Sequence, residues 1–171
     1  MIYHFKIISP EVDNFSIELE TGGEETFFAL HEAIQKAAGF YSHQLASFFI
    51  SNGRGKKEIE ISLLDNGFNG FPYYAMQKTR IADLISANTK RLLYTFDFFN
   101  DRSLIIELTG IDMEKNQHGP LTTFVEGEAP VQILEDEENA QESTAKQEDE
   151  VFNDFGVLED YTEIFGEMDP I

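Results

Sequence analysis

The sequence contains no cysteine. A disulfide framework, a thiolate nucleophile and a cysteine-ligated metal are therefore excluded, and a reducing compartment is compatible. Long apolar runs are also missing. The opening Met1-Ile2-Tyr3-His4-Phe5-Lys6-Ile7-Ile8 alternates polar and apolar residues, so it reads as a strand rather than a signal peptide. No stretch is long enough for a membrane-spanning helix. The default location is the cytoplasm. Basic residues are scarce, with 12 Lys and Arg against 32 Asp and Glu and a formal net charge of −20. Charge of that sign repels phosphate backbones, which argues against direct nucleic-acid binding. It suits solubility or a partner with a basic surface.

What the chain does have is apolar bulk. Its 171 residues are 42% hydrophobic and include sixteen Phe and six Tyr, enough for one domain with a real core. The charge is unevenly spread. Residues 135–171 hold 14 acidic residues and one basic residue, Lys146. The composition divides the chain into a body over 1–134, an acidic linker over 135–150 expected to be disordered, and an acidic-hydrophobic segment over 151–171. In that last segment Phe152, Phe155, Leu158, Tyr161 and Phe165 return among acids. They are candidate partner-binding residues, for the chain's own body or for another protein.

Within the body, Tyr3, Phe5 and Ile7 share one side of a first strand, and Phe15, Ile17 and Leu19 one side of a second. The turn residues of Ser9–Asn14 between them predict an antiparallel hairpin. Thr26 is a plausible N-cap, with Glu24 and Glu25 near the positive end of a helix dipole. Phe27, Leu30 and Ile34 fall at helical spacing over 27–38, and Gly39 is the expected stop. Phe28 lies off that stripe. Leu45–Ser51 and the Ile59, Ile61, Leu63 alternation predict two strands around the basic turn Arg54-Gly55-Lys56-Lys57. Residues 65–74 read as a loop that packs. Thr79 is placed to cap a short helix whose Ile81, Leu84 and Ile85 face inward. Strands follow over 92–98 and 104–108, with a weaker one over 122–126.

The order and residues of these elements resemble the pRiA-type plasmid ORF-3-like family, whose members include passenger proteins of transposable elements. The likeness covers roughly residues 1–130. It rests on Tyr3-His4-Phe5-Lys6-Ile7, on Leu30-His31-x-x-Ile34-Gln35 running to Gly39-Phe40, and on His43-x-Leu45-x-x-Phe48. Tyr94-x-Phe96-Asp97-Phe98 and Glu126-Gly127-Glu128-Ala129-Pro130 add to it. The family's usual run after the Asp-Phe pair is Gly, Asp, an acid or amide, then Trp, with His two positions later. This chain has Phe99, Asn100, Asp101, Arg102 and Leu104 there, and it lacks the family's Pro-Pro-Glu-Asp after Pro130. The resemblance implies an α+β domain and no transferable activity. The expected fold is a mixed β-sheet with two helices, in the order ββαββαββ plus a final strand, β-grasp-like with the first helix across the sheet.

Candidate chemistry is sparse. Asp97 and Asp101 offer two carboxylates at one strand end, which suits acid–base work or a hard metal, but turn capping explains them more simply. His31 borders the buried stripe and reads as an interior histidine bonded to a backbone carbonyl. His43 precedes a strand and meets His31 only if the loop folds back. No HxH or HExxH spacing supports a metal, and no cofactor is expected. His31, His43, Asp97, Asp101 and Arg102 are the candidate ligand-binding residues. Gly53-Arg54-Gly55-Lys56-Lys57 lacks the P-loop ending and reads as a solvated turn able to receive the acidic tail or an anion. The aromatics Phe68, Phe71, Tyr73, Tyr74, Phe96 and Phe98 fit core packing better than base stacking. Ser47, Ser62 and Ser103 lack a nucleophile context. The leading expectation is a non-enzymatic interaction or accessory protein with a protein partner or its own tail. The alternative is a hydrolase or metal-dependent enzyme using Asp97, Asp101 and His31.

Overall fold

A computed structural model of the chain describes residues 1–65, 72–89 and 91–134. The expected linker over 135–150 and the candidate residues Phe152, Phe155, Leu158, Tyr161 and Phe165 lie outside them. Strands β1 (Ile2–Ile8) and β2 (Ser16–Gly22) precede helix α1 (Phe27–Ala38), and β3 (Ser47–Ser51), β4 (Lys57–Ser62) and β5 (Tyr73–Ala75) follow it. The short helix α2 (Ile81–Leu84) then leads into β6 (Arg91–Asp97), β7 (Arg102–Asp112) and β8 (Leu121–Glu126). Among the described residues the strands form one eight-stranded sheet in the order β5-β4-β3-β6-β7-β1-β2-β8. All pairings are antiparallel except β4 with β5. The fold is thus the expected α+β class with a mixed sheet and two helices. The sheet is larger than the expected one, and its centre is antiparallel throughout.

The first hairpin forms as its alternation dictates, with Phe5 opposite Leu19 and Ile7 opposite Ile17. All four side chains are at most 1% exposed. Helix α1 starts where Thr26 accepts the Ala29 N–H at 3.2 Å. It stops at Gly39, whose φ of 70° is left-handed and easily reached by glycine. Glu24 and Glu25 precede the cap and bond elsewhere: Glu24 pairs with Arg80 at 2.6 Å, and Glu25 accepts the Gly119 N–H at 2.8 Å. Phe27, Leu30 and Ile34 are fully buried. They belong to one hydrophobic core with Phe5, Ile7 and Ile17 of β1 and β2, Phe48 of β3 and Tyr94 of β6. The expected face of the helix therefore packs on the sheet.

Two expectations need correction. Residues 73–75, read as loop, form strand β5 beside β4. The short run directly after Pro72 concealed it, because three residues cannot display a period. Thr79 does not cap α2. Its hydroxyl donates to the Ala75 carbonyl at 2.8 Å, and Arg80 is the cap residue, with its backbone N–H donating to the Asp83 carboxylate at 3.1 Å.

Candidate functional site

Three places among the described residues bear on function. The first is the end of β6 and β7. Asp97 accepts the Asn100 backbone N–H at 3.1 Å and its side-chain amide at 2.9 Å, which is the turn-capping role expected of it. Asp101 takes the left-handed residue of the same turn, with φ of 49°. Its side chain is 81% exposed and pairs with Lys57 at 3.0 Å, so the two aspartates do different jobs.

Arg102 is the centre of that region. It is 7% exposed and makes five hydrogen bonds. Nε and Nη2 donate to the two carboxylate oxygens of Glu11, each at 2.7 Å. The remaining donors reach Asp97 at 3.4 Å, the Val131 carbonyl at 2.6 Å and the Gln132 carbonyl at 3.3 Å. A guanidinium has five N–H donors. All are spent, and the group also lies 4.8 Å over the Phe96 ring. The hydrogen bonds from Arg102 hold the Glu11 carboxyl below its ordinary range. Burial alone would raise Asp97, but hydrogen bonds from Asn100 and Arg102 outweigh it and lower its pKa. Arg102 therefore clamps the β1–β2 loop, the β6–β7 turn and the segment after β8, and it keeps no donor for a ligand. Register alone hints at this: Arg102 shares strand parity with the buried Leu104 and Ile106. A cation at such a position needs buried acceptors.

The second place is a cleft of about 400 Å³ beside α1. Phe28, His31, Glu32, Gln35 and Lys36 line it from the helix, with Phe40, Ser42 and Leu63 opposite. His31 is 2% exposed, and its Nδ1 lies 2.8 Å from the Tyr94 hydroxyl. The expected partner was a backbone carbonyl; a side chain on β6 takes that role instead. Burial raises the Tyr94 pKa, so the phenol keeps its proton. His31 Nδ1 is its one hydrogen-bond acceptor among the described residues. With the hydroxyl donating to Nδ1, the ring proton of the neutral imidazole sits on Nε2. Burial lowers the His31 pKa from 6.5 to about 4, so the ring is uncharged at neutral pH and is a weak base.

His43 does not join His31. It is exposed and its ring lies tilted against Tyr41, with ring centroids 5.6 Å apart. Asp97 and Asp101 do not line the His31 cleft either. Among the described residues no group of three His, Asp or Glu is placed to hold a metal. Ser47 donates to Glu60 at 2.9 Å, and Ser103 shares a 2.8 Å hydrogen bond with Thr95, both in the sheet.

The third place was missed in the sequence because it is an edge. Among the described residues, strand β8 pairs with β2 on one side and ends the sheet on the other. All six of its residues are exposed, with Leu121 at 53% and Phe124 and Val125 each at 47%. Such an edge presents unpaired backbone donors and acceptors beside apolar side chains. Acidic residues surround it, with Glu18 and Glu20 on β2 opposite Phe124 and Leu121, and Glu126 and Glu128 at its end.

Comparison with known proteins follows the fold. A family model described as plasmid pRiA4b ORF-3-like protein matches residues 13–136. No curated protein matches the chain. Among solved structures, the crystal structure of the protein of unknown function MM3350 from Methanosarcina mazei Go1 superposes with a TM-score of 0.57 and 22% identity. The match covers 72% of this chain and 68% of that one. At that identity the likeness concerns the fold alone.

Proposed function

Since the chain belongs to the plasmid pRiA4b ORF-3-like protein family, we propose that it is a non-enzymatic interaction protein, accessory to a mobile element, that receives an extended basic segment of a partner protein on strand β8. The observation that carries this reading is the exposed apolar edge formed by Leu121, Phe124 and Val125. An added strand satisfies the free backbone groups of such an edge, and side-chain contacts set its specificity. The acids around the edge and the net charge of −20 select a basic partner and speed its approach. The plasmid origin in the family's description supports an accessory role, because proteins that handle mobile DNA carry basic surfaces.

A photo-reactive residue placed at Val125 of the full chain, in its host, tests the proposal. Cross-links to a basic protein are expected, lost when Leu121→Lys and Phe124→Lys reverse the local preference. Cross-links only to a second copy of the chain, or a set unchanged by the two substitutions, contradict it. Deleting residues 135–171 asks separately whether the acidic tail contributes; an unchanged partner set removes the tail from the account.

A further inference from the structure

The His31 cleft has one property that the Arg102 cluster lacks. Among the described residues no buried side-chain nitrogen or oxygen is without a partner. Nε2 of His31 has no partner there, since the ring's hydrogen bond is made by Nδ1. The residue is otherwise enclosed at 2% exposure, so its accessible edge is Nε2 at the cleft. Leaving a polar group open in this way forgoes a hydrogen bond that an ordinary buried histidine would make.

One helical turn on, Gln35 is 5% exposed. Its side-chain N–H donates to the Tyr41 carbonyl at 3.3 Å. Its Oε1 has no described partner and, by the same reasoning, is not sealed. Residues four apart on a helix sit on one face. The cleft therefore offers a donor and an acceptor side by side, His31 Nε2–H and Gln35 Oε1. Phe28, Phe40 and Leu63 supply apolar walls. Glu32 and Lys36 line it with opposite charges and no net sign.

We propose that this cleft binds a small, uncharged planar ligand carrying an adjacent hydrogen-bond acceptor and donor, a carboxamide or ring lactam of the kind found in nicotinamide and uracil. The ligand's carbonyl accepts from His31 Nε2–H, and its N–H donates to Gln35 Oε1. Its ring lies between the apolar walls. A volume of about 400 Å³ lies near the lower end of small-molecule sites, so it accommodates a single ring rather than a dinucleotide. This site is independent of strand β8, so either reading can fail alone.

The test is a calorimetric titration of the full chain with uracil and with nicotinamide, with the His31 ring ¹⁵N resonances followed alongside in the native sequence. Two variants accompany it. Ser42→Trp fills the mouth from an exposed position. The double variant His31→Phe with Tyr94→Phe removes both polar partners together, so no buried hydroxyl is orphaned. Saturable binding that moves the Nε2 signal, weakened at least about tenfold by each variant (about 1.4 kcal/mol), is the expected result. No saturable binding of either probe, binding that survives both variants, or equal binding of benzene overturns the proposal.

Discussion

The Arg102 cluster and the His31 cleft both bury a nitrogen-rich side chain at the β6 strand, and they treat it in opposite ways. Arg102 spends five donors on Glu11, Asp97 and two carbonyls. His31 spends one nitrogen on Tyr94 and leaves the other open. Burial by itself does not separate a structural polar group from one kept for a ligand; saturation does. A group with every donor used ties chain segments together. A group enclosed on all sides but one, with a free atom there, is open to a visitor.

The sharpest way to break this contrast is to remove the clamp. Arg102→Ala leaves Glu11 and Asp97 without their cation and is expected to destabilise the domain by about 3 kcal/mol. That is the low end for breaking a buried pair, because the Glu11 side chain is 37% exposed. Denaturant unfolding checks it. The pH dependence sharpens the point. Both carboxyls have folded-state pKa values below their ordinary ones, so their contribution is present above the unfolded-state values. It fades as the pH falls through the folded-state ones. The variant loses that acid-side dependence, and a variant that unfolds along the native acid curve contradicts the clamp.

A comparable loss, about 3 kcal/mol, is expected in the native protein from His31 alone. Its pKa is 6.5 unfolded and about 4 folded, so between those values the unfolded chain takes up a proton that the folded one refuses. Stability from this group is full above pH 6.5 and declines towards pH 4. The double variant His31→Phe with Tyr94→Phe is expected to flatten that part of the profile. Leu30→Ala serves as an apolar reference on the same helix. It is expected to cost about 2–5 kcal/mol without changing the pH profile. The smallest effect belongs to the surface: Leu121→Lys with Phe124→Lys is expected to change stability by less than about 1 kcal/mol while abolishing partner cross-linking.

How much of this was legible in the sequence follows from the range of each signal. Helix α1 was readable because Phe27, Leu30 and Ile34 repeat at its own period and Thr26 and Gly39 mark its ends. The Asp97 turn was readable because its bonds go three residues ahead. The partners of Arg102 were hidden, since Glu11 lies 91 residues away and Val131 lies 29 away. No local pattern encodes such a pairing. The Tyr94 hydroxyl is 63 residues from His31, which is why the histidine read as a border residue with a backbone partner. The resemblance to the plasmid family pointed to both regions.

One sample labelled with ¹⁵N tests the difference between the two regions most directly. Side-chain spectra are followed from pH 7 to pH 4 with and without uracil. The Arg102 Nε–H is expected to stay protected from exchange and unmoved by uracil. The His31 ring is expected to remain neutral to about pH 4, with a Nε2–H signal that shifts as uracil is added. A His31 midpoint near 6.5, or a response to uracil at Arg102 rather than His31, would contradict the assignment of one site to structure and the other to binding.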